Sequence, residues 1–188
     1  MNTITDWIMK MISSREPMAN VEYISFLNKC VSVRDESLGG HDVRIIACED
    51  SYVYIPCHVE SLLISNCVNC TIFVAATCKI TTVEKCEGTI IVNASNLMRI
   101  GNCVDCTMHS YTVMSAPIIY GDTRSQTMAP HNTNYQDFAR SLIAAGIKPL
   151  EQGTKKSAKE EEQIMHFSKP VIMGNKVNCF SLMSPVDF

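Results

Sequence analysis

Residues 62–106 read LLISNCVNCTIFVAATCKITTVEKCEGTIIVNASNLMRIGNCVDC, and one four-residue pattern recurs within them and once before them. The pattern is an apolar residue, two variable residues and a cysteine, and it occurs at 45–48 (IIAC), 64–67 (ISNC), 83–86 (VEKC) and 100–103 (IGNC). Its cysteines are 19, 19 and 17 residues apart, and Asp122 at the end of 119–122 (IYGD) follows after another 19. Self-similarity at a fixed period indicates a repeat architecture in which these five positions are equivalent.

Each of these positions is preceded by an apolar residue three places earlier and by a mostly apolar residue five places earlier. The two sets are Ile45, Ile64, Val83, Ile100 and Ile119, and Val43, Leu62, Thr81, Met98 and Pro117. Side chains two apart on a strand lie on the same face, so both sets are predicted to point into a core. A second strand follows each turn, as at 71–74 (TIFV).

A unit of about 19 residues is too short for a pair of helices and suits one coil of a β-helix. Single coils cannot bury their apolar faces alone, so they stack about 4.8 Å apart. We therefore predict an all-β fold: a right-handed three-sided parallel β-helix over residues 21–147, with short flanking helices and a C-terminal extension packed on it.

The predicted β-helix is flanked at both ends. Residues 1–20 carry apolar side chains at helical spacing, at Ile4, Ile8, Met11 and Ile12. They predict an amphipathic helix that covers one open end of the core or, alternatively, docks a partner. A second helix is predicted from Phe138, with Gly146 as its C-terminal cap, and we expect it to close the far end. Residues 148–188 are predicted to form a charged linker and the C-terminal extension.

Composition excludes several classes of protein. The formal charge is −3 and the basic residues are scattered, so we expect no nucleic-acid partner. Apolar runs fall far short of the roughly 20 residues that a membrane span requires. The first 16 residues lack the pattern of a secretory signal, which predicts a cytosolic chain. In that compartment the ten cysteines are expected to be buried small side chains or metal ligands.

Two CxxC pairs raise the question of a zinc site, Cys67 with Cys70 and Cys103 with Cys106. They begin 36 residues apart, which is two coils, so the stack should separate them by about 9–10 Å. One ion bound at about 2.3 Å per sulfur cannot bridge that distance. We predict a ladder of buried thiols and no metal site, while a disulfide or redox role stays open because adjacent coils bring cysteines near bonding distance.

No catalytic motif stands out among the serines, histidines and carboxylates, and no glycine loop suits a phosphate. One polar column is predicted to point outward, because it alternates with the inward sets. It consists of the residues four places before each repeat position, Arg44, Leu63, Thr82, Arg99 and Ile118. Arg99 is then an exposed guanidinium on a rigid strand, which is either an ordinary solvated arginine or a functional one. Leu63 and Ile118 suggest that a partner or the C-terminal segment covers this face.

Two segments resemble a known family. Residues 117–122 (PIIYGD) and 128–135 (MAPHNTNY) are similar to the tubulin-binding cofactor C domain, also called the C-CAP or CARP-type β-helix. The second segment resembles a run typical of the TBCC domain-containing proteins within that family. The tail from Lys169 to Phe188 resembles their C-terminal extension. The resemblance covers about residues 43–188.

The resemblance implies two different roles. Some family members carry a Gln-Leu-Arg type strand whose arginine acts as a finger toward the GTP of tubulin or of an Arf-like GTPase, stabilising charge on the transferring phosphoryl group. Aligning the strands places Arg99 on that arginine, but Leu97 stands in place of the glutamine. The TBCC domain-containing subfamily implies instead a structural role at centrosomes or basal bodies.

We predict a non-catalytic interaction or scaffold domain without a cofactor, acting in the cytoplasm at the cytoskeleton, with cytoskeletal or centrosomal partners. The alternative is a GTPase-activating protein for tubulin or an Arf-like GTPase, with Arg99 as the catalytic residue acting in trans. The predicted partner contacts are Arg44, Leu63, Arg99, Ile118, His131, Asn132 and Tyr135.

Overall fold

The computed structural model describes residues 21–24, 29–32, 38–133, 135–148, 159, 161, 165–174 and 179–187. The strands within these residues are β1 Val21–Ile24, β2 Cys30–Ser32, β3 Asp42–Ile46, β4 Tyr52–Val59, β5 Ser61–Ser65, β6 Thr71–Glu84, β7 Ile90–Gly101, β8 Thr107–Thr112, β9 Ile118–Tyr120, β10 Gln126–Pro130, β11 Val171–Met173 and β12 Phe180–Leu182. The helix α1 spans Phe138–Ala144, and short 3₁₀ turns lie at His166–Ser168 and Pro185–Asp187. None of the described helices is long and apolar enough to cross a membrane.

The strands pair in parallel from coil to coil and form three sides. Side A contains β1, β3, β5, the second halves of β6 and β7, β9 and β11. Side B contains β2, the first halves of β4, β6 and β7, β8, β10 and β12. Side C contains the pairs of residues 58–59, 76–77, 94–95 and 111–112. The predicted fold, a right-handed three-sided parallel β-helix, is confirmed, with about five turns.

The two predicted inward columns of side A form the centre of the core. Ile45, Ile64 and Ile100 have no exposed surface, and Val43 and Leu62 expose at most 2%. Burying an aliphatic side chain of this size contributes roughly 1.5–3 kcal/mol, so the stacked columns supply much of the folding free energy. Thr81 is the polar member of the second column. Its hydroxyl donates to Asn93 Oδ1 at 2.7 Å, so its burial leaves no unsatisfied group.

Each turn from side A to side B uses two residues with positive φ. The first set is Ala47, Asn66, Lys85, Asn102 and Gly121, and the second is Asp50, Asn69, Gly88, Asp105 and Ser125. Most of these are Asn, Asp or Gly, the residues that adopt the left-handed conformation at least cost. The repeat cysteine follows the first of these residues in the coils of Cys48, Cys67, Cys86 and Cys103, and each of these cysteines is buried. The turn therefore sets both the length of the coil and the inward direction of the thiol.

The fifth repeat position is shifted by one residue from the prediction. Val104 pairs with Arg124, so the residue equivalent to Cys103 is Thr123, which is 2% exposed, and not Asp122. The Thr123 hydroxyl donates to Tyr120 O at 2.7 Å, whereas Asp122 lies in solvent and pairs with Arg124. An extra residue in this turn places Asp122 outside, because a buried unpaired carboxylate would cost far more than an exposed one.

The helix α1 packs on side C. The prediction that it closes the far end of the stack is therefore wrong. Small outward residues, Ala76 and Ala94, form a second buried cluster with Tyr111, Leu142 and Ile147. Alanine leaves room for a helix to approach the sheet, which explains why α1 settles on this side. The predicted cap at Gly146 is confirmed: its φ is +72° and its N–H donates to Ile143 O at 2.9 Å.

The C-terminal extension packs on the β-helix as predicted. β11 pairs with β9 on side A and β12 pairs with β10 on side B, so the extension adds a last coil. The helix predicted within residues 1–20 lies outside the described residues. The proposed division of the chain at residues 20 and 147 stays a prediction.

The turn geometry makes a first test possible at Asn66, an exposed residue with φ +53°. Replacing Asn66 by valine should lower the free energy of unfolding by about 1–2 kcal/mol, because a Cβ-branched residue resists the left-handed conformation. Urea unfolding measures the change. Asn66→Gly is the matched control, since both variants lose the bond from Asn66 Nδ2 to Ser65 Oγ at 2.9 Å. Equal stability of the two variants would contradict the role given to the turn.

Candidate functional site

The residues Arg44, Leu63, Thr82, Arg99 and Ile118, which we call the Arg99 column, lie side by side on the outside of side A. Each pairs in register with the next. The residues on either side of Arg99, Met98 and Ile100, point into the core and are fully buried, so Arg99 must point outward. Arg99 is exposed and the other four are partly exposed. The column is therefore a straight row of accessible side chains on a rigid sheet.

Apolar side chains continue this surface on both sides of the Arg99 column. Ile80 and Leu97 pair with each other and lie two residues before Thr82 and Arg99. Ile46 and Tyr120 lie two residues after Arg44 and Ile118. All four point outward by alternation and are partly exposed. Side A thus presents neighbouring apolar groups to solvent, an arrangement that marks interaction surfaces more often than isolated exposed residues do.

Arg99 is held in place by Tyr120. Its Cζ lies 5.3 Å from the centroid of the Tyr120 ring, which is a cation–π contact. The ring can lie close to the sheet because Gly101 is directly beneath it, and a Cβ there would overlap the ring. Glycine is therefore required at 101 for space. The result is a guanidinium with several N–H donors that is stacked on Tyr120 and lies beside Leu97 and Ile118.

This arrangement suits binding better than catalysis. A guanidinium stacked on a ring can bind a carboxylate of a partner. The same partner would cover the ring and the neighbouring aliphatic groups. Leu97 lies on the same outward side as Arg99 and has no polar atom with which to orient water or a phosphate. Next to Arg99 the described side chains thus offer apolar contact area, together with the carboxylate of Glu84, which lies on the same outward face of the neighbouring strand.

The other predicted contact residues, His131, Asn132 and Tyr135, lie elsewhere. They follow β10 and lead into α1. The Tyr135 hydroxyl donates to Pro56 O at 3.1 Å, and its ring meets Phe73 edge-on with 5.8 Å between centroids. His131 stacks on Phe138, with 4.8 Å between ring centroids. His131 and Tyr135 therefore fasten α1 to the β-helix, and only Asn132 is exposed. The seven predicted contacts form two separate groups.

Burial controls the charge of His131. Desolvation lowers its pKa to about 4, and the neighbouring His109 adds to the effect. Its Nε2 is buried without a hydrogen-bond partner among the described residues. At neutral pH the ring is uncharged, which fits a stacking role against Phe138 better than contact with a partner.

A groove of about 560 Å³ lies where α1 meets the corner of sides B and C. Its lining includes Pro56, Cys57, His58, Tyr135, Asp137 and Arg140. These residues come from two segments far apart in sequence, and of those named only Tyr135 was singled out by a sequence motif. The groove is on a different side of the molecule from the Arg99 column.

The cysteines form the predicted ladder. All ten are free thiols, and those of the two CxxC pairs are buried. Cys86 lies in the coil between the pairs, as the two-coil separation requires. Hydrogen bonds among the thiols, with burial, raise the pKa of Cys86 and of Cys106, so both stay protonated at neutral pH. No group of three or more potential ligands in the described part of the chain is placed to hold a metal ion.

Comparison with known proteins gives a consistent match. The family model described as "Tubulin binding cofactor C" matches residues 40–158, more than half of the chain. Proteins named "TBCC domain-containing protein 1" are similar to this chain at low identity. The rat protein is 21% identical over 86% of this chain, the chicken protein 22% over 81%, and the human protein 27% over 60%. The matches cover 26%, 26% and 20% of those relatives, so this chain spans about a quarter of their length or less.

The buried imidazole of His131 predicts a pH dependence. Its folded pKa lies below the value of 6.5 expected when unfolded, so the unfolded state binds the extra proton. The contribution of the neutral His131 ring to the free energy of unfolding is fully present above about pH 6.5 and is lost as the pH falls toward 4. His131→Phe keeps a ring stacked on Phe138 but cannot bind the proton. Its free energy of unfolding should therefore fall by on the order of 1–3 kcal/mol less than that of wild type between pH 7 and 4. Urea unfolding between pH 7 and 4 measures it, and parallel curves for the two proteins would contradict the assignment.

Proposed function

This chain belongs to the tubulin binding cofactor C family, and from that premise we propose that it is a non-catalytic interaction domain that binds a protein of the microtubule cytoskeleton. The Arg99 column, together with Ile46, Ile80, Leu97 and Tyr120, is the docking surface. The observation that carries the proposal is the Arg99 guanidinium, stacked on Tyr120 beside partly exposed apolar side chains of side A.

The composition of this surface supports docking. Arginine and tyrosine are enriched among the residues that contribute most to protein interfaces, and apolar neighbours exclude water from around them. Arg99 and Tyr120 already contact each other in the free protein. Little side-chain freedom is then lost when a partner covers them, which favours affinity.

The β-helix supports the same role mechanically. Side A is bonded from β1 to β11 without interruption, so its outward side chains keep their spacing. A surface of this kind suits rigid docking rather than induced fit. Tubulin is the first partner to test, because the family is described by tubulin binding.

The finer parts of the proposal rest on the resemblance to TBCC domain-containing proteins. We propose that the domain contributes to a scaffold at the centrosome, basal body or spindle pole, within the cytoplasm. Acceleration of GTP hydrolysis through Arg99 is not favoured, because the guanidinium is engaged with Tyr120 and Leu97 supplies no polar group beside it.

Binding of purified tubulin heterodimer to the full chain tests the docking surface. Leu63→Asp and Ile118→Asp should each weaken binding at least tenfold, because a carboxylate would be desolvated within an apolar contact. Ile143→Asp is the matched control, since Ile143 is 65% exposed on α1 and far from side A. Equal loss in all three variants, or in none, would contradict the proposed surface.

The same mixtures, with the chain at a concentration that saturates tubulin, report whether the domain is catalytic. Single-turnover GTP hydrolysis by tubulin should be the same with wild type and with Arg99→Ala. An arginine finger would accelerate hydrolysis on the order of 10³–10⁵-fold, so a difference of that size would overturn the non-catalytic assignment.

A further inference from the structure

The last coil of the β-helix leaves core positions open. Ile172 and Leu182 pair in register with Ile119 and Met128, both of which are fully buried. Yet Ile172 is 39% exposed and Leu182 is 50% exposed. These side chains continue inward columns at the end of the stack, where a further layer would bury them. The exposed surface is therefore the end of the core itself.

The strand β11 also has an open hydrogen-bonding edge within the described part of the chain, where it pairs only with β9. Val171 N–H donates to Pro117 O at 2.8 Å, on the side of β9. By the alternation of a strand, the N–H and C=O of Ile172 point to the other side. Edge strands are usually protected by being very short or by a charge, a proline or a bulge. β11 is short, because Pro170 limits it to three residues, but those three residues carry no charge, proline or bulge.

We propose that β11 pairs with β11 of a second copy of this chain, antiparallel and centred on Ile172, to form a two-fold dimer. This register makes Ile172 of each copy exchange both backbone hydrogen bonds with the other. It places Val171 of one copy opposite Met173 of the other.

Symmetry favours a second copy as the occupant. A two-fold contact pairs the strand with itself: Ile172 faces its own equivalent and Val171 faces Met173, so like charges at these positions would repel one another. The three side chains of β11 are uncharged and apolar, and Val171 and Met173 are 50% and 57% exposed. Pairing of β11 with β11 then covers the open edge of this strand in each copy. It also buries Ile172 and Leu182 of both copies without any further component.

The test is the mass of the full chain in solution at about 100 μM, measured by light scattering during size exclusion. Wild type should have twice the monomer mass of 20.9 kDa. Val171→Lys with Met173→Glu in one chain should keep the dimer, because each lysine faces a glutamate of the other copy. Val171→Lys with Met173→Lys should give the monomer. Both sites are exposed and point outward, so neither pair disturbs the core.

Ile143→Lys on α1 is the control and should remain dimeric. A monomeric wild type would overturn the proposal. So would a dimer that survives in the Lys/Lys variant, or one that is lost equally in the Lys/Glu and Lys/Lys variants, because the first excludes β11 and the second excludes this register.

Discussion

The structure depends on the turn that joins side A to side B. Two residues with positive φ in each coil fix where the chain bends, and in four successive coils the first of them directs the next side chain, a cysteine, inward. Because the backbone repeats in this way, the hydrogen bonds of one coil align with those of the next. The core columns, the outward column and the position of Arg99 all follow from that register.

The register explains why function is assigned to side A. Side C is covered by α1, and Phe73 on side B packs against Tyr135, while Tyr52, Tyr54 and Ile90 on side B stay exposed. On side A, the outward residues Leu63, Leu97 and Ile118 are partly exposed. The space left by Gly101 then allows Tyr120 to fix Arg99 among them. The surface supports docking, and family membership supplies tubulin as the partner to test.

The sequence was sufficient where the constraint is local and periodic. Alternation of apolar residues before each cysteine predicts the strands, the inward columns and the outward direction of Arg99. It could not locate α1, because periodicity shows which residues of a helix are apolar but not which surface receives them. The roles of His131 and Tyr135 depend on contacts with Phe138 and Pro56, and the extra residue at Asp122 is visible only through the pairing of Val104 with Arg124.

Hydroxyl-radical footprinting of the full chain, alone and with tubulin heterodimer, tests the docking surface directly, since it reports the solvent exposure of individual side chains. Leu63, Leu97 and Tyr120 should become protected on binding, while Ile143 on α1 should keep its reactivity. Protection of Ile143 and of the groove around Tyr135, with side A unchanged, would contradict the proposed docking surface.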